Sequence, residues 1–345
     1  MNIQHIPFIK RCFDLARLGN GHVAPNPMVG AVLVHNQRII GEGYHKAYGK
    51  AHAEVNAVGS VKESDKHLIP DSTIYVSLEP CNFFGKTPPC TGLILKNKIP
   101  RVVISSFDNT PEVAGKAAKM LQTKGVEVIT AVLQQEGDEL NRIRTKIVAN
   151  ERPYVLLKYA QSKDGYFAPA DDKQFWITNA FSKRLVHKWR SECDAIIVGT
   201  NTAAIDDPQL NNRLYFGKSP LRIVLDQSLK LRRGLHLFSD GAPTLLVTEK
   251  KLKAYPDYLE ILNLPFDDQL LPNLLKELHQ RKIGSLMVEG GAQLLQSFIK
   301  SDLWDEARVL TGDVYMQDGI KSPRISATPS YTRQLKQDLV EWYFN

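Results

Sequence analysis

The chain has little cysteine. Four residues, Cys12, Cys81, Cys90 and Cys193, are too few to staple 345, so a disulfide scaffold is excluded. Free thiols in a reducing, cytoplasmic setting are expected instead. No apolar run approaches the ~20 residues that span a bilayer, so no membrane helix is expected. Charges and a proline interrupt Met1 to Phe13 and leave no signal-peptide block, which argues against export. There is no long block of like charge, no internal repeat and no low-complexity linker. The net charge of +7 is scattered. It reads as solvated surface, or as attraction for phosphate-bearing small molecules. Aromatic and basic residues do not interleave as they do on base-stacking surfaces, which argues against a nucleic-acid editing protein. No G-x-G-x-x-G follows a strand pattern, so a standard dinucleotide fold is not expected.

What is present is an ordinary globular composition, long enough for two cores. Apolar periodicity predicts a helix from Pro7 to Leu18, strands Val29 to Val34 and Arg38 to Tyr44, and a helix from Ala51 to Val58. Strand Thr73 to Leu78 follows, then a helix opening at Cys90, strand Arg101 to Ser106, helix Glu112 to Thr123, strand Val126 to Thr130 and one helix from Asp138 to Ala149. Strands alternating with helices imply a three-layer α/β domain over 1–150. Asn150-Glu151-Arg152-Pro153 reads as the boundary. A second α/β series over 151–345 has strands beginning at Tyr154, Asp194, Leu221, Thr244, Ser285 and Glu306, with helices beginning at Ala180, Gln269 and Ala292.

His52-Ala53-Glu54 and the pair Cys81 and Cys90 carry the sharpest chemistry. One imidazole and two thiols can hold zinc and leave its fourth position open, and an open zinc site activates water. Glu54, read on the same helix as His52, is placed to move protons. Hydrolytic deamination of an amino-substituted heterocycle follows. The known signature is H-x-E followed by P-C-x-x-C. Here Pro80-Cys81 matches, but eight residues separate the cysteines. Gly85 and Pro88-Pro89 can return Cys90 to the metal. His-x-Glu triplets do occur by chance, and a structural zinc would normally take four protein ligands. Cys12 and Cys193 read as packing residues. In Pro25-Asn26-Pro27, Asn26 offers one carboxamide to a pyrimidine edge; a plain surface turn is the competing reading.

The second half says less. Glu289-Gly290-Gly291-Ala292 follows a strand and opens a helix, where a phosphate can approach the positive helix end, or where a tight turn is simply needed. Gly199-Thr200-Asn201-Thr202 repeats the design. Asp206-Asp207-Pro208 adds carboxylates, and Arg213 adds a cation suited to phosphate.

Pro25-Asn26-Pro27-Met28-Val29-Gly30, His52-Ala53-Glu54-Val55-Asn56-Ala57 and Glu79-Pro80-Cys81 with Gly85-Lys86-Thr87-Pro88-Pro89-Cys90 resemble the bifunctional riboflavin-biosynthesis deaminase/reductases. The resemblance continues through Ser162-x-Asp164-Gly165, Trp176-Ile177-Thr178, Gly199 to Leu210 and Glu289-Gly290-Gly291. It implies a cytidine-deaminase-like fold for the first half, with His52, Cys81 and Cys90 on Zn2+ and Glu54 as proton shuttle. It also implies release of ammonia from 2,5-diamino-6-ribosylamino-4(3H)-pyrimidinone 5′-phosphate. The family usually has Ser-His after the first cysteine and Arg after the glycine; this chain has Asn82-Phe83 and Lys86, and Lys86 meets a phosphate as a point charge. For the second half it implies a dihydrofolate-reductase-like fold using NADPH. Ala160, Trp176, Thr202 and Gly291 fall to NADPH; Asp206, Leu210, Arg213 and Glu289 fall to the sugar phosphate. Lys158, on the strand before Ala160, would polarise or protonate the ribose oxygen as hydride reaches C1; an edge-facing surface lysine is the plain alternative. Gln174-Phe175 replace a Ser and a polar residue of the family. That motivates a second reading, an active deaminase whose C-terminal half is reductively inactive. The expected partners are a phosphorylated pyrimidine and further copies of the chain, with no nucleic acid and no membrane.

Overall fold

In the computed structural model, residues 3–85, 88–108, 114–170, 175–251 and 256–345 are described. They fall into two units, Met1–Asn150 and Glu151–Asn345.

The first unit is built on strands buried on both faces. Its sheet joins β1 (Gly30–His35), β2 (Arg38–Tyr44), β3 (Thr73–Leu78), β4 (Arg101–Ser106) and β5 (Glu127–Ile129) in the order β2-β1-β3-β4-β5. β1 runs antiparallel to β2 and β3, whereas β3, β4 and β5 are parallel. Successive side chains of a strand point to opposite faces. Ala31 and Leu33 therefore enter one core with Ala53 and Ala57 of α2 (Ala53–Gly59), Ile94 of α3 (Cys90–Lys96) and Leu121 of α4 (Lys116–Thr123). Val32 and Val34 enter the other, with Phe8, Ile9 and Phe13 of α1 (Ile6–Arg17). Helices on both faces give the three layers.

The single helix expected from Asp138 to Ala149 is two, α5 (Gln134–Leu140) and α6 (Arg142–Asn150). Asn141 lies between them, and its Oδ1 accepts the Met28 N–H at 3.0 Å. The helix expected from Ala51 also starts later. His52 is its N-cap, extended at φ −70 and ψ 166, with its carbonyl accepting Asn56 N–H at 3.1 Å.

The second unit repeats the plan at larger scale. Its strands are β6 (Tyr154–Gln161), β7 (Tyr166–Ala168), β8 (Ala195–Val198), β9 (Leu221–Leu225), β10 (Thr244–Thr248), β11 (Leu259–Asn263), β12 (Ser285–Val288), β13 (Glu306–Thr311), β14 (Ile320–Lys321), β15 (Tyr331–Leu335) and β16 (Asp338–Phe344). The main sheet runs β11-β10-β9-β8-β12-β6-β13-β16-β15; pairing is parallel from β11 to β13, and β16 runs antiparallel to both β13 and β15, while β7 pairs with β14. Val155, Leu157 and Tyr159 face a core with α10 (Leu270–Gln280) and α11 (Ala292–Lys300), while Leu156 faces one with α7 (Ala180–Glu192). Two short helices, α8 (Thr200–Asp206) and α9 (His236–Ser239), follow β8 and β9. β7, β11 and the three C-terminal strands lie outside the sequence expectation. β7, β11, β14 and β15 are short or carry many exposed residues, so no apolar run marks them, whereas β16 is apolar and half-buried and was missed with its exposed partner β15.

Gly43 fixes how closely α2 approaches the sheet. A Cβ there would stand 2.5 Å from Ala57 N and 2.6 Å from Asn56 Cβ. Gly43→Ala should cost about 2–3 kcal/mol through overpacking. A lowered first-unit melting temperature in calorimetry is the expected result; an unchanged one would show that α2 slides freely.

Candidate active sites

In the first unit, β3 ends by delivering Glu79-Pro80-Cys81. Glu79 is buried. Its carboxylate accepts N–H groups from Gly115 at 2.8 Å and from Ala117 and Ala118 at 3.0 Å, the first turn of α4. A negative group at a helix N-terminus is favoured, so the residue before Pro80 is pinned. α3 then starts at Cys90 and folds over Cys81. The Cys90 N–H donates to Cys81 Sγ at 3.3 Å, and the Thr91 N–H donates to the Cys81 carbonyl at 3.2 Å.

His52 turns Nδ1 toward both sulfurs, 3.5 Å from Cys81 and 3.3 Å from Cys90. All three donor atoms lie within 4.8 Å of one another. Nitrogen and sulfur ligands about 2.0 and 2.3 Å from a tetrahedral zinc stand about 3.5 Å apart, so the residues present fit that ion. The hydrogen bond from the Cys90 thiol, with one from His52, holds Cys81 down to about 4, while the same sharing and burial push Cys90 up. A thiolate beside a second thiol and an imidazole is a donor set for a soft cation.

Glu54 sits in the first turn of α2 and is 3% exposed. Burial, then the Cys81 thiolate, raises its pKa, so its carboxyl holds a proton more readily than usual. It lines a cavity of about 280 Å³ together with His52, Cys81, Asn26, His45 and Arg144. Asn26 Nδ2 lies 3.2 Å from His45 Nε2, and His45 Nδ1 lies 3.1 Å from the Ala51 carbonyl. A carbonyl can only accept, so Nδ1 carries the proton, Nε2 accepts, and Asn26 donates. The Asn26 oxygen and one amide hydrogen are left for a ligand. Sequence reading missed His45 and Arg144. His45 follows the last residue of β2, and Arg144 comes from α6, far from any motif. Lys86 lies outside the described residues.

In the second unit, β8, β12 and β6 are neighbours in the sheet, and their carboxyl ends bring the predicted residues together. Open α/β sheets bind ligands at such ends. Ala160 and Lys158 are near the end of β6. Gly291 caps α11 after β12, and a Cβ on it would stand 3.0 Å from Thr202 Oγ1 on α8. Glycine thus leaves a cradle between two strand-to-helix turns. Glu289 accepts both arms of Arg190 at 2.8 Å and lies 3.5 Å from Lys158 Nζ. Burial raises its pKa, but Arg190 and Lys158 outweigh that and hold it at about 2. Arg190 is the other residue that sequence reading missed; an Arg inside an amphipathic helix gives no signal of its own.

The other predicted positions are more varied. Arg213 Nη1 donates to Asn211 Oδ1 at 2.8 Å; burial and then Arg190 lower its pKa, so two guanidinium groups face the same region. Trp176 is 61% exposed with Lys183 Nζ 4.1 Å from its ring centroid. Asp206 closes α8 with an exposed side chain. Leu210 is 2% exposed inside a core, with its backbone at φ 51, so its side chain is taken up by packing. Asp164 accepts the Ser162 hydroxyl at 2.6 Å and the Gln317 N–H at 2.8 Å, which makes that motif a loop tie. Gln174 lies outside the described residues.

Comparison with known proteins follows the same division. The cytidine and deoxycytidylate deaminase zinc-binding region matches residues 3–106, and the RibD C-terminal domain matches residues 153–316. The chain is 39% identical to the riboflavin biosynthesis protein RibD of Aquifex aeolicus, across 91% of this chain and 88% of that one. It is 38% identical to the RibD of Bacillus amyloliquefaciens, across 87% and 82%. The crystal structure of a diaminohydroxyphosphoribosylaminopyrimidine deaminase/5-amino-6-(5-phosphoribosylamino)uracil reductase from Thermotoga maritima superposes with a TM-score of 0.89 at 32% identity, covering 99% of this chain and 98% of that one. The two units are cytidine-deaminase-like and dihydrofolate-reductase-like α/β folds, as the motifs implied. No helix among the described residues is long and apolar enough to cross a membrane. The chain belongs to the RibD family of bifunctional deaminase/reductases of riboflavin biosynthesis.

Proposed function

We propose that the first unit deaminates 2,5-diamino-6-ribosylamino-4(3H)-pyrimidinone 5′-phosphate, and that the second reduces the ribosyl group of the product to ribityl with NADPH. The observation that carries the first step is the triangle of His52, Cys81 and Cys90, of which His52 and Cys81 line one cavity with Glu54. Zinc held by these three residues would activate water. Glu54 takes a proton from the attacking water and returns it to the departing amine, and its raised pKa suits both halves of that exchange. Asn26, oriented by His45, grips the ring edge. Lys86 and the cavity's own Arg144 supply cations for the phosphate.

The second step rests on the cluster at the carboxyl ends of β6, β8 and β12. NADPH supplies the hydride, and the Gly291–Thr202 cradle, Ala160 and Trp176 would hold it. Glu289 anchors Lys158, which hands a proton to the ribose oxygen as the sugar opens. Arg213, Asp206 and the Leu210 backbone address the sugar phosphate. Free thiols at all four cysteines fit a reducing cytoplasm. Association with further copies of the chain is part of the same proposal, and light scattering on a sizing column reads it.

Three measurements test these roles. Glu54→Gln should keep its metal by elemental analysis and lose ammonia release by ~10³-fold or more; normal release would place the shuttle elsewhere. Chelation should abolish ammonia release yet leave NADPH oxidation on the deaminated substrate intact. No NADPH turnover by the untreated enzyme would instead favour the reductively inactive alternative. Lys158→Met should lower reductase kcat by about 100-fold and leave deamination unchanged; an unaltered kcat would reduce Lys158 to a partner of Glu289.

A further inference from the structure

Residues 207–220, between α8 and β9, contain no helix or strand. A connection of this length needs anchors if it is to present a side chain in one place. α7 provides two. His187 and Arg190 are three apart on it, so they share a face. His187 is 2% exposed, and its Nδ1 lies 3.2 Å from the backbone N of Arg213, which donates to it. Arg190 Nη1 donates to the Asn211 carbonyl at 3.1 Å. Asn211 Oδ1 then accepts from the Arg213 guanidinium at 2.8 Å. The helix thus holds the main chain on either side of Asn212, and Asn211 holds the charged head.

Accepting the Arg213 amide requires an unprotonated Nδ1, with the ring proton on Nε2. Burial, then Arg190 and Arg213, hold the His187 pKa down to about 4, so the ring is neutral near pH 7. We propose that His187 is a positioning residue of the reductase site: it fixes the backbone from which Arg213 meets the 5′-phosphate of the ribosylamino substrate. The inference rests on the reading of Arg213 as a phosphate ligand. A guanidinium held ready avoids an ordering cost at binding, so the effect belongs in substrate affinity and not in hydride transfer.

Two variants separate the hydrogen bond from packing. His187→Leu keeps bulk and removes the acceptor; His187→Asn puts Oδ1 where Nδ1 lies. In His187→Leu, KM for the phosphorylated substrate should rise about 10-fold with kcat within about twofold, and His187→Asn should recover most of the loss. NADPH affinity and ammonia release should match the parent in both. On the substrate lacking its 5′-phosphate, parent and His187→Leu should be equally weak. An unchanged KM in His187→Leu overturns the proposal. So does an equal loss on the dephosphorylated substrate, or a loss of NADPH affinity, which would mark a general structural role. Arg213→Ala is measured alongside: if it leaves KM unchanged the premise falls, whereas if it raises KM and His187→Leu does not, only the positioning claim falls.

Discussion

Both units depend on central strands that are buried on both faces. Once Val32 and Leu33, or Leu156 and Leu157, enter opposite cores, no side chain in the middle of those strands is left for chemistry. Reactive groups can stand only where strands end and helices begin. Cys81 follows β3, Cys90 opens α3, His52 caps α2, and Gly291 and Thr202 belong to the turns after β12 and β8. On β6, Lys158 is an exception. It is a charged residue on a central strand, accommodated because Glu289 on the neighbouring turn neutralises it.

The two sites handle charge in opposite ways. The first collects donors of negative charge, two sulfurs and a carboxyl, around space for a cation. Burial, and then repulsion from the Cys81 thiolate, shows in the raised Glu54 pKa. The second collects cations, Lys158, Arg190 and Arg213, and spends a single buried carboxylate to hold two of them. A site that is short of two negative charges suits a phosphorylated sugar. One polypeptide thus carries two electrostatic designs, each matched to what enters it.

Much of this was legible in the sequence because the signals are local. His-x-Glu, Glu-Pro-Cys and the glycine turns lie at element ends, where residue type is constrained by the next few residues. The central strands were legible from their apolar runs. Contributions that depend on tertiary neighbours were not. His45 acquires its role from Asn26 and the Ala51 carbonyl, Arg190 from Glu289, and Asn141 from Met28, none of which periodicity can pair. The C-terminal hairpin of β15 and β16 was missed because its outer strand is mostly exposed and polar, so it carries no hydrophobic signature. The helix start at Ala53 was misplaced by two residues because alanines on both sides of His52 favour helix equally.

Glu79 has a consequence for robustness. Among the described residues its partners are three main-chain amides in a buried pocket, not a mobile cation at the surface. Counter-ions weaken exposed pairs such as Arg11 with Glu42, but they reach a buried amide cage poorly. The peptide that leads into Cys81 is therefore insulated from ionic strength. Brine that softens the protein's exterior leaves the sulfur where it was.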